Sequence, residues 1–326
     1  GHLGVEQLML SRVADNLYWM SRYLERAEHT CRLIAVKLES LPEQSPEESE
    51  TSWRRIIAAL SADEHASSST DSFDITHALA FERFNTSSVI SSLRLARDNA
   101  RQVREQISTE MWQHLNRLYL RLSPVSLATI WGDSSAHIFR ETVDQLHMLE
   151  GVTFSTMRHG EGWHFIQLGR YIERAQLVSR LLDLHYGMVL IPDAPNAPAP
   201  KYLDWVALLK SCTAFEAYCK VYTANIRRDR IAEFLLFDQE FPHSVRFAVE
   251  RLTEALTHVA IGAPAQRRAA CERLAGRLKA SVDFGQIDEL IGGTIDNFLA
   301  NVSAQCEQIH GAVQTAYIAY DAETVL

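Results

Sequence analysis

The chain has no run of about 18 consecutive apolar residues, so no part of it is expected to cross a membrane as a helix. It has no C-x-x-C pair, and its five cysteines (Cys31, Cys212, Cys219, Cys271, Cys306) are odd in number and scattered. That pattern argues against a zinc site or a disulfide framework; buried thiols in a reducing cytoplasm are expected. The absence of a charged-then-apolar leader agrees with that compartment. Basic charge is in deficit: 32 Lys and Arg stand against 41 Asp and Glu, a net charge of −9. Such a chain is poorly suited to neutralising phosphates, so non-specific nucleic-acid binding is not expected. The local clusters Arg54-Arg55, Arg227-Arg228 and Arg267-Arg268 read as solvated helix faces. Strict apolar–polar alternation and turn chemistry are both scarce, so no strand is required. Neither G-x-x-x-x-G-K-[ST] nor G-x-G-x-x-G occurs, and no cofactor is expected.

What the sequence does have is helical periodicity, in a chain of 326 residues whose 47% hydrophobic content can fill real cores. Leu17, Met20, Leu24, Ala27, Cys31, Ile34 and Leu38 recur three and four residues apart, one continuous apolar stripe. Phe165, Leu168, Ile172, Ala175, Ser179 and Leu182 trace a second such stripe. Within the two stripes a motif is repeated: Arg22-Tyr23-Leu24-Glu25-Arg26-Ala27 returns as Arg170-Tyr171-Ile172-Glu173-Arg174-Ala175, displaced by 148 residues. The match extends over Trp19–Ile34 aligned on Gln167–Leu182; unrelated segments of that length share roughly one residue by chance, so an internal duplication is the reading.

The parallel continues downstream with slowly growing displacement. The helix break at Pro42, with the polar loop Glu43–Glu50 and a helix from Trp53, corresponds to Ile191–Pro200 followed by Trp205. Asn85-Thr-Ser-Ser-Val corresponds to Phe241-Pro-His-Ser-Val, with Ser88 and Ser244 placed to cap the helices Ile90–Ile107 and Arg246–Ala260. Leu149-Glu-Gly-Val corresponds to Ile309-His-Gly-Ala. The expected fold is therefore all-α, an internally duplicated helical bundle with about five helices per repeat. The repeats span residues 9–158 and 159–326 and are expected to fuse into one body. Ser61–Asp74 reads as a Ser-rich loop. Gly1–Leu8 look unlike the rest of the chain and read as an appended or native leader before Met9.

On the first helix Arg22, Glu25, Arg26 and His29 project away from the apolar stripe, yet Trp19 and Leu33 share their face. The second helix has Trp163, Ile166, Leu177 and Leu181 there. Packing on both sides is implied, and two readings of the motif stand. In one, the Arg and Glu groups pair locally or with neighbouring helices and fix the bundle's register. In the other, Arg22, Glu25, Arg26, Arg170, Glu173 and Arg174, with Tyr23 and Tyr171, surround a cleft for carboxylate or phosphate groups, which guanidinium holds in bidentate fashion. The first is preferred, because ion networks fill interiors more often than they catalyse.

Other constellations carry weaker signals. A di-metal carboxylate centre calls for Glu-x-x-His on two helices; Glu161/His164 and Glu307/His310 have that spacing, as do Asp74/His77, Asp144/His147 and Glu240/His243 with Asp or Glu. The motif-equivalent positions of Glu161 and His164 are Val13 and Asn16, so no metal site is expected. His29 is matched by Leu177 and reads as a solvated or capping histidine. Ser134, Ser135 and His137 after Gly132-Asp133 lack a nucleophile elbow and read as a turn and helix start. Ile291-Gly-Gly-Thr294 reads as a loop and N-cap.

The opening Met9-Leu-Ser-Arg-Val-Ala-Asp-Asn-Leu-Tyr-Trp-Met-Ser-Arg-Tyr-Leu-Glu-Arg-Ala-Glu resembles the bacterial alpha-E family, a helical family labelled for its Glu-Arg motif. Trp163-His-Phe-Ile-Gln-Leu-Gly-Arg-Tyr-Ile-Glu-Arg-Ala resembles it again, and the likeness runs from about Met9 to Tyr320. The resemblance implies partners rather than chemistry: circularly permuted ATP-grasp proteins and transglutaminase-like proteins, encoded beside or fused to its members. ATP-grasp enzymes activate a carboxylate as an acyl phosphate for attack by an amine. The resemblance thus implies a helical accessory component of an amide- or peptide-ligating system. The alternative is a stand-alone enzyme with Glu25 or Glu173 as general base, or a carboxylate-bridged metal centre, in the same helical cleft.

Overall fold

A computed structural model of the chain describes residues 3–60, 69–132, 134–186, 201–259, 265–291 and 293–318. Among them every regular element is helical. In chain order the α-helices are α1 (Leu3–Ser40), α2 (Pro46–Leu60), α3 (Ser72–Ala80), α4 (Val89–Gln102), α5 (Thr109–Leu122), α6 (Leu127–Ile130), α7 (Ser135–Thr156) and α8 (Glu161–Tyr186). They continue with α9 (Tyr202–Ser211), α10 (Phe215–Tyr222), α11 (Arg228–Phe237), α12 (Val245–Val259), α13 (Ala265–Asp283), α14 (Ile287–Ile291) and α15 (Ile295–Val313).

The two motif helices form the centre. α1 and α8 pack along each other, α1 also against α4 and α7, and α8 against α12 and α15. α5 lies over α4 and α7, and α13 over α12 and α15. The short elements after each motif helix cross over: α2 packs on α8, and α9 packs on α1. Being covered on every side explains why both helices lack an exposed polar face. From Gln167 to Ser179, α8 is buried at every position, and the α1 stripe residues Leu17, Met20, Ala27, Cys31, Ile34 and Leu38 are buried together with Leu33 on the opposite face.

The crossing of α1 and α8 is unusually close at Gly169. A Cβ there would sit 2.2 Å from the Tyr18 carbonyl oxygen and 2.3 Å from Ser21 Oγ. Only glycine lets the two backbones approach this closely. The motif glutamates lie one turn beyond, at Glu25 and Glu173.

Both anticipated serine caps form. Ser88 Oγ accepts from the Ser91 N–H and donates to Glu82 O at 2.7 Å; Ser244 Oγ accepts from the Phe247 N–H and donates to Asp238 O at 2.5 Å. Such caps satisfy backbone donors that a helix start leaves free.

Several boundaries differ from the sequence reading. Instead of about five helices per half, seven precede residue 158 and eight follow it among the described residues. The supposed polar loop Glu43–Glu50 is helical from Pro46, because Ser45 and Glu48 form a reciprocal capping box. The Ser-rich stretch is helical from Ser72, where the Asp71 carboxylate accepts from the Phe73 and Asp74 N–H groups; its earlier part, residues 61–68, lies outside the described residues. The Pro-rich break 191–200 also lies outside them. The helix expected from Trp205 starts at Tyr202. Residues 3–8, set apart in sequence, continue α1. Cys31, Cys212, Cys271 and Cys306 are buried, Cys219 is half-buried, and all five are free thiols. No helix among the described residues is long and apolar enough to cross a membrane.

Candidate functional site

Because α1 and α8 meet at Gly169, the repeated motifs face each other and pair across the interface. Arg174 grips Glu25 through two parallel bonds, Nε to Oε1 at 2.6 Å and Nη2 to Oε2 at 2.9 Å. In the other direction Arg22 Nε donates to Glu173 Oε2 at 2.6 Å and Arg26 Nε to Glu173 Oε1 at 2.8 Å. Each glutamate is therefore held by the arginines of the opposite helix. Of the local and neighbouring-helix pairings left open by the sequence, the pairing with the neighbouring helix is the one formed. The tyrosines support the same guanidinium groups, Arg26 lying over the Tyr23 ring at 5.5 Å and Arg174 over Tyr171 at 5.3 Å. Arg22 adds Gln176 as an acceptor at 2.9 Å and lies 4.9 Å from the Trp19 ring.

This network is largely closed to water. Glu25, Glu173 and Arg174 are at most 4% exposed, and Arg26, at 22% for its side chain, reaches the edge. Burial works against the charged form of Glu173, but Arg22 and Arg26 outweigh it and hold the carboxyl below its ordinary value.

A second buried cluster adjoins it. Glu28 takes an ion pair from Arg32 and a hydrogen bond from His147 Nε2 at 2.9 Å. Arg32 also donates to Ser211 O at 3.0 Å and to His243 Nε2 at 3.4 Å. His29, expected to be solvated or capping, is 1% exposed, since the face it shares with the motif is itself packed.

Burial, foremost, lowers the affinity of several histidines for protons. His29 falls from the ordinary 6.5 to about 3, His185 and His310 to about 4, and His243 well below 6.5. Between these values and 6.5 the unfolded chain binds protons that the folded chain refuses, so stability is expected to fall as pH drops below about 6.5. His147 opposes this, being raised chiefly by its bond to Glu28, but it is one group against these four and His164, which burial also lowers. Urea unfolding at a series of pH values from about 7.5 to 5 checks it; constant stability over that range would contradict the buried-histidine assignment.

The other sequence candidates disperse. His164 stacks on His258 at 4.0 Å, and His310 hydrogen-bonds the Tyr18 hydroxyl at 2.8 Å. Glu307 lies 3.5 Å from Arg180, and Asp74 receives Ser69 Oγ at 3.2 Å. His243 lies against Arg32 and His147 against Glu28, so none of the Asp/Glu-x-x-His spacings builds a centre. Among the described residues no group of three or more His, Cys, Asp or Glu is placed to hold a metal ion. Ser135 opens α7 and Thr294 precedes α15, as a helix start and a cap position; Asp133 and Gly292 lie outside the described residues.

One motif arginine behaves differently. Arg170 leaves the cross-helix pairs and donates from Nη1 to Glu150 of α7 at 2.8 Å. With Tyr171 it lines an open cavity of about 290 Å³ between α7, α8 and α12. Trp163, Gln167, Arg251 and Glu254 line it too. The motif reading pointed to Arg170 and Tyr171 but missed Glu150, Arg251 and Glu254. Glu150 sits inside the Leu149-Glu-Gly-Val segment that the sequence reading matched to Ile309-His-Gly-Ala, the one available signal; nothing in the sequence singled out Arg251 or Glu254.

Residues 9–318 match the model of a family, Alpha-E, described as a predicted alpha-helical domain with a conserved ER motif. Uncharacterized proteins of Mycobacterium bovis and Mycobacterium tuberculosis are 25% identical to the chain over 93% of its length. The match covers 36% of each of those proteins, so the chain spans about a third of the length of the curated relatives it matches. No solved structure matches the chain.

Proposed function

The chain belongs to the Alpha-E family, and from that premise we propose that it is a non-catalytic helical partner of an ATP-grasp amide- or peptide-ligating system. In this reading the repeated Arg/Glu motif is a structural latch between α1 and α8. The observation that carries it is the state of the two glutamates: Glu25 and Glu173 are buried and each is held by opposing arginines. A general base must be free to take a proton at a reacting atom, and neither glutamate is. The stand-alone enzyme using Glu25 or Glu173 lacks that requirement.

Association with an ATP-grasp and a transglutaminase-like partner is inferred from the family. The greater length of the mycobacterial relatives supports it, since it leaves room for fused partner segments. An anionic group of a ligand would meet Arg170, the motif arginine lining an open cavity, rather than the latched Arg22, Arg26 and Arg174. Two fused repeats, residues 9–158 and 159–326, are part of the same proposal. Their support is the matched serine caps, the reciprocal packing of α2 and α9, and the equivalent tyrosine–arginine stacks.

The test is reconstitution with a circularly permuted ATP-grasp protein of the kind the family resemblance implies. The expected result is a stoichiometric complex on size exclusion, with ligation requiring the ATP-grasp component. Turnover by the purified chain alone, abolished in Glu173→Gln, would overturn the proposal.

A further inference from the structure

Only five lysines occur in the chain: Lys37, Lys201, Lys210, Lys220 and Lys279. Lys210 and Lys220 are exposed, Lys201 pairs with Glu48, and Lys279 pairs with Asp283. Lys37, in the last turn of α1, is 3% exposed. Every other buried cation among the described residues is an arginine, a side chain that keeps its proton in proteins. A lysine can lose its proton, and burial is what drives it to.

The surroundings of Lys37 suit the neutral form. Its Nζ donates to Gln44 Oε1 and, at 3.3 Å, to Ser49 Oγ, and it lies 5.6 Å from the centre of the buried Trp53 ring. Both acceptors are uncharged, and no ion pair holds the amine among the described residues. Loss of its proton therefore strands no buried carboxylate, the penalty that keeps a salt-bridged cation charged. Burial, against a weaker opposing pull from Asp204, pushes the amine down from 10.5 to about 8.

The amine also has space beside it. Lys37 and its acceptor Gln44 line a cavity of about 40 Å³ between α1, α2, α8 and α9. The charged groups on the other walls answer each other, Arg55 lying 3.6 Å from Asp204. His185, also on the wall, donates from Nδ1 to Leu181 O at 2.8 Å, and burial lowers it to about 4, so at neutral pH it is uncharged. Lys37 is thus the group there whose charge nothing matches. One water's share of the liquid is about 30 Å³, so the cavity admits only a few heavy atoms.

We propose that Lys37 is a nucleophilic amine that forms an imine with a small uncharged aldehyde admitted to this cavity. The Nζ lone pair attacks the carbonyl carbon, and an N–H proton passes to the carbonyl oxygen, giving a carbinolamine. That hydroxyl then leaves with the second N–H proton as water, and the C=N bond closes; hydrolysis reverses both steps. The proposal is independent of the α1–α8 latch and of any partner protein.

The test uses the purified full chain at pH 7.5 with acetaldehyde, trapped by cyanoborohydride, and peptide mass mapping of the ethyl group at each lysine. The expected result is that Lys37 is labelled faster than Lys210 and Lys220 by about tenfold or more, following its larger share of neutral amine. In urea-unfolded chain that preference should vanish. Benzaldehyde, too large for the cavity, should label Lys210 and Lys220 and spare Lys37. Three outcomes would overturn the proposal: Lys37 labelled no faster than the exposed lysines in the folded chain, the preference persisting in urea, or benzaldehyde favouring Lys37 as acetaldehyde does.

Discussion

Arg174→Ala is expected to lower the stability of the folded chain by about 3–5 kcal/mol, the cost of breaking a buried ion pair from one side. The loss has two sources. Glu25 would keep its place at 4% exposure but lose both guanidinium bonds, and the Pro242 carbonyl would lose its Nη1 donor at 3.1 Å. Burial, with the Glu28 carboxylate adding to it, already raises the proton affinity of Glu25 against the opposing effect of Arg174; with Arg174 gone the carboxyl is driven further to take up a proton. The deficit relative to the wild type should therefore narrow at acid pH, where that proton binds more readily. Urea unfolding of both proteins at neutral and mildly acid pH reads both effects.

Gly169→Val should damage the same interface by a different route. The first side-chain carbon would fall 2.2 Å from a main-chain oxygen of α1 and 2.3 Å from Ser21 Oγ, distances no packing adjustment of side chains alone can relieve. The helices would have to separate, and with them the Arg22, Arg26 and Arg174 bonds to the opposing glutamates. Overpacking typically costs about 1–3 kcal/mol; added to weakened buried pairs, a loss of more than about 3 kcal/mol is expected. Circular dichroism melts would show it as a lowered transition with helix content largely retained in the fold that remains. A melting temperature equal to the wild type would mean that α1 and α8 do not cross as closely as described.

Much of this was readable from the residues. Apolar spacing along Leu17–Leu38 and Phe165–Leu182 marked both central helices, and the apolar residues on their opposite faces (Leu33, Ile166, Leu177, Leu181) implied burial all round, which is what the structure has. Ser88 and Ser244 were placed as caps from their position before a helical run. The pairing pattern was not readable. Whether Arg22 meets Glu25 on its own helix or Glu173 on another depends on where the helices cross, and that is set by one glycine whose close contact is invisible in one dimension. Arg170 illustrates the same point: it repeats Arg22 in sequence, yet α7 offers it Glu150, so it leaves the latch for the cavity. The extra short helices escaped the reading because they depend on local caps such as Asp71 and Ser45, whose polar neighbourhoods look like loop. Arg251 and Glu254 escaped because a pair three residues apart on a helix reads as a solvated face, and both side chains do stay about half exposed at the cavity's edge.

The central claim is that the repeated motif closes the helix pair, with its charges paired to each other. Its most direct test is a double-mutant cycle on Glu25→Leu and Arg174→Met, read by urea unfolding. The account predicts that each single change costs several kcal/mol, and that the double variant recovers to within about 1 kcal/mol of the wild type, because removing both charges together leaves no unpaired buried ion. Single variants as stable as the wild type, with additive effects in the double, would contradict it. The carboxylate and guanidinium would then be free of each other in the fold and available to a ligand.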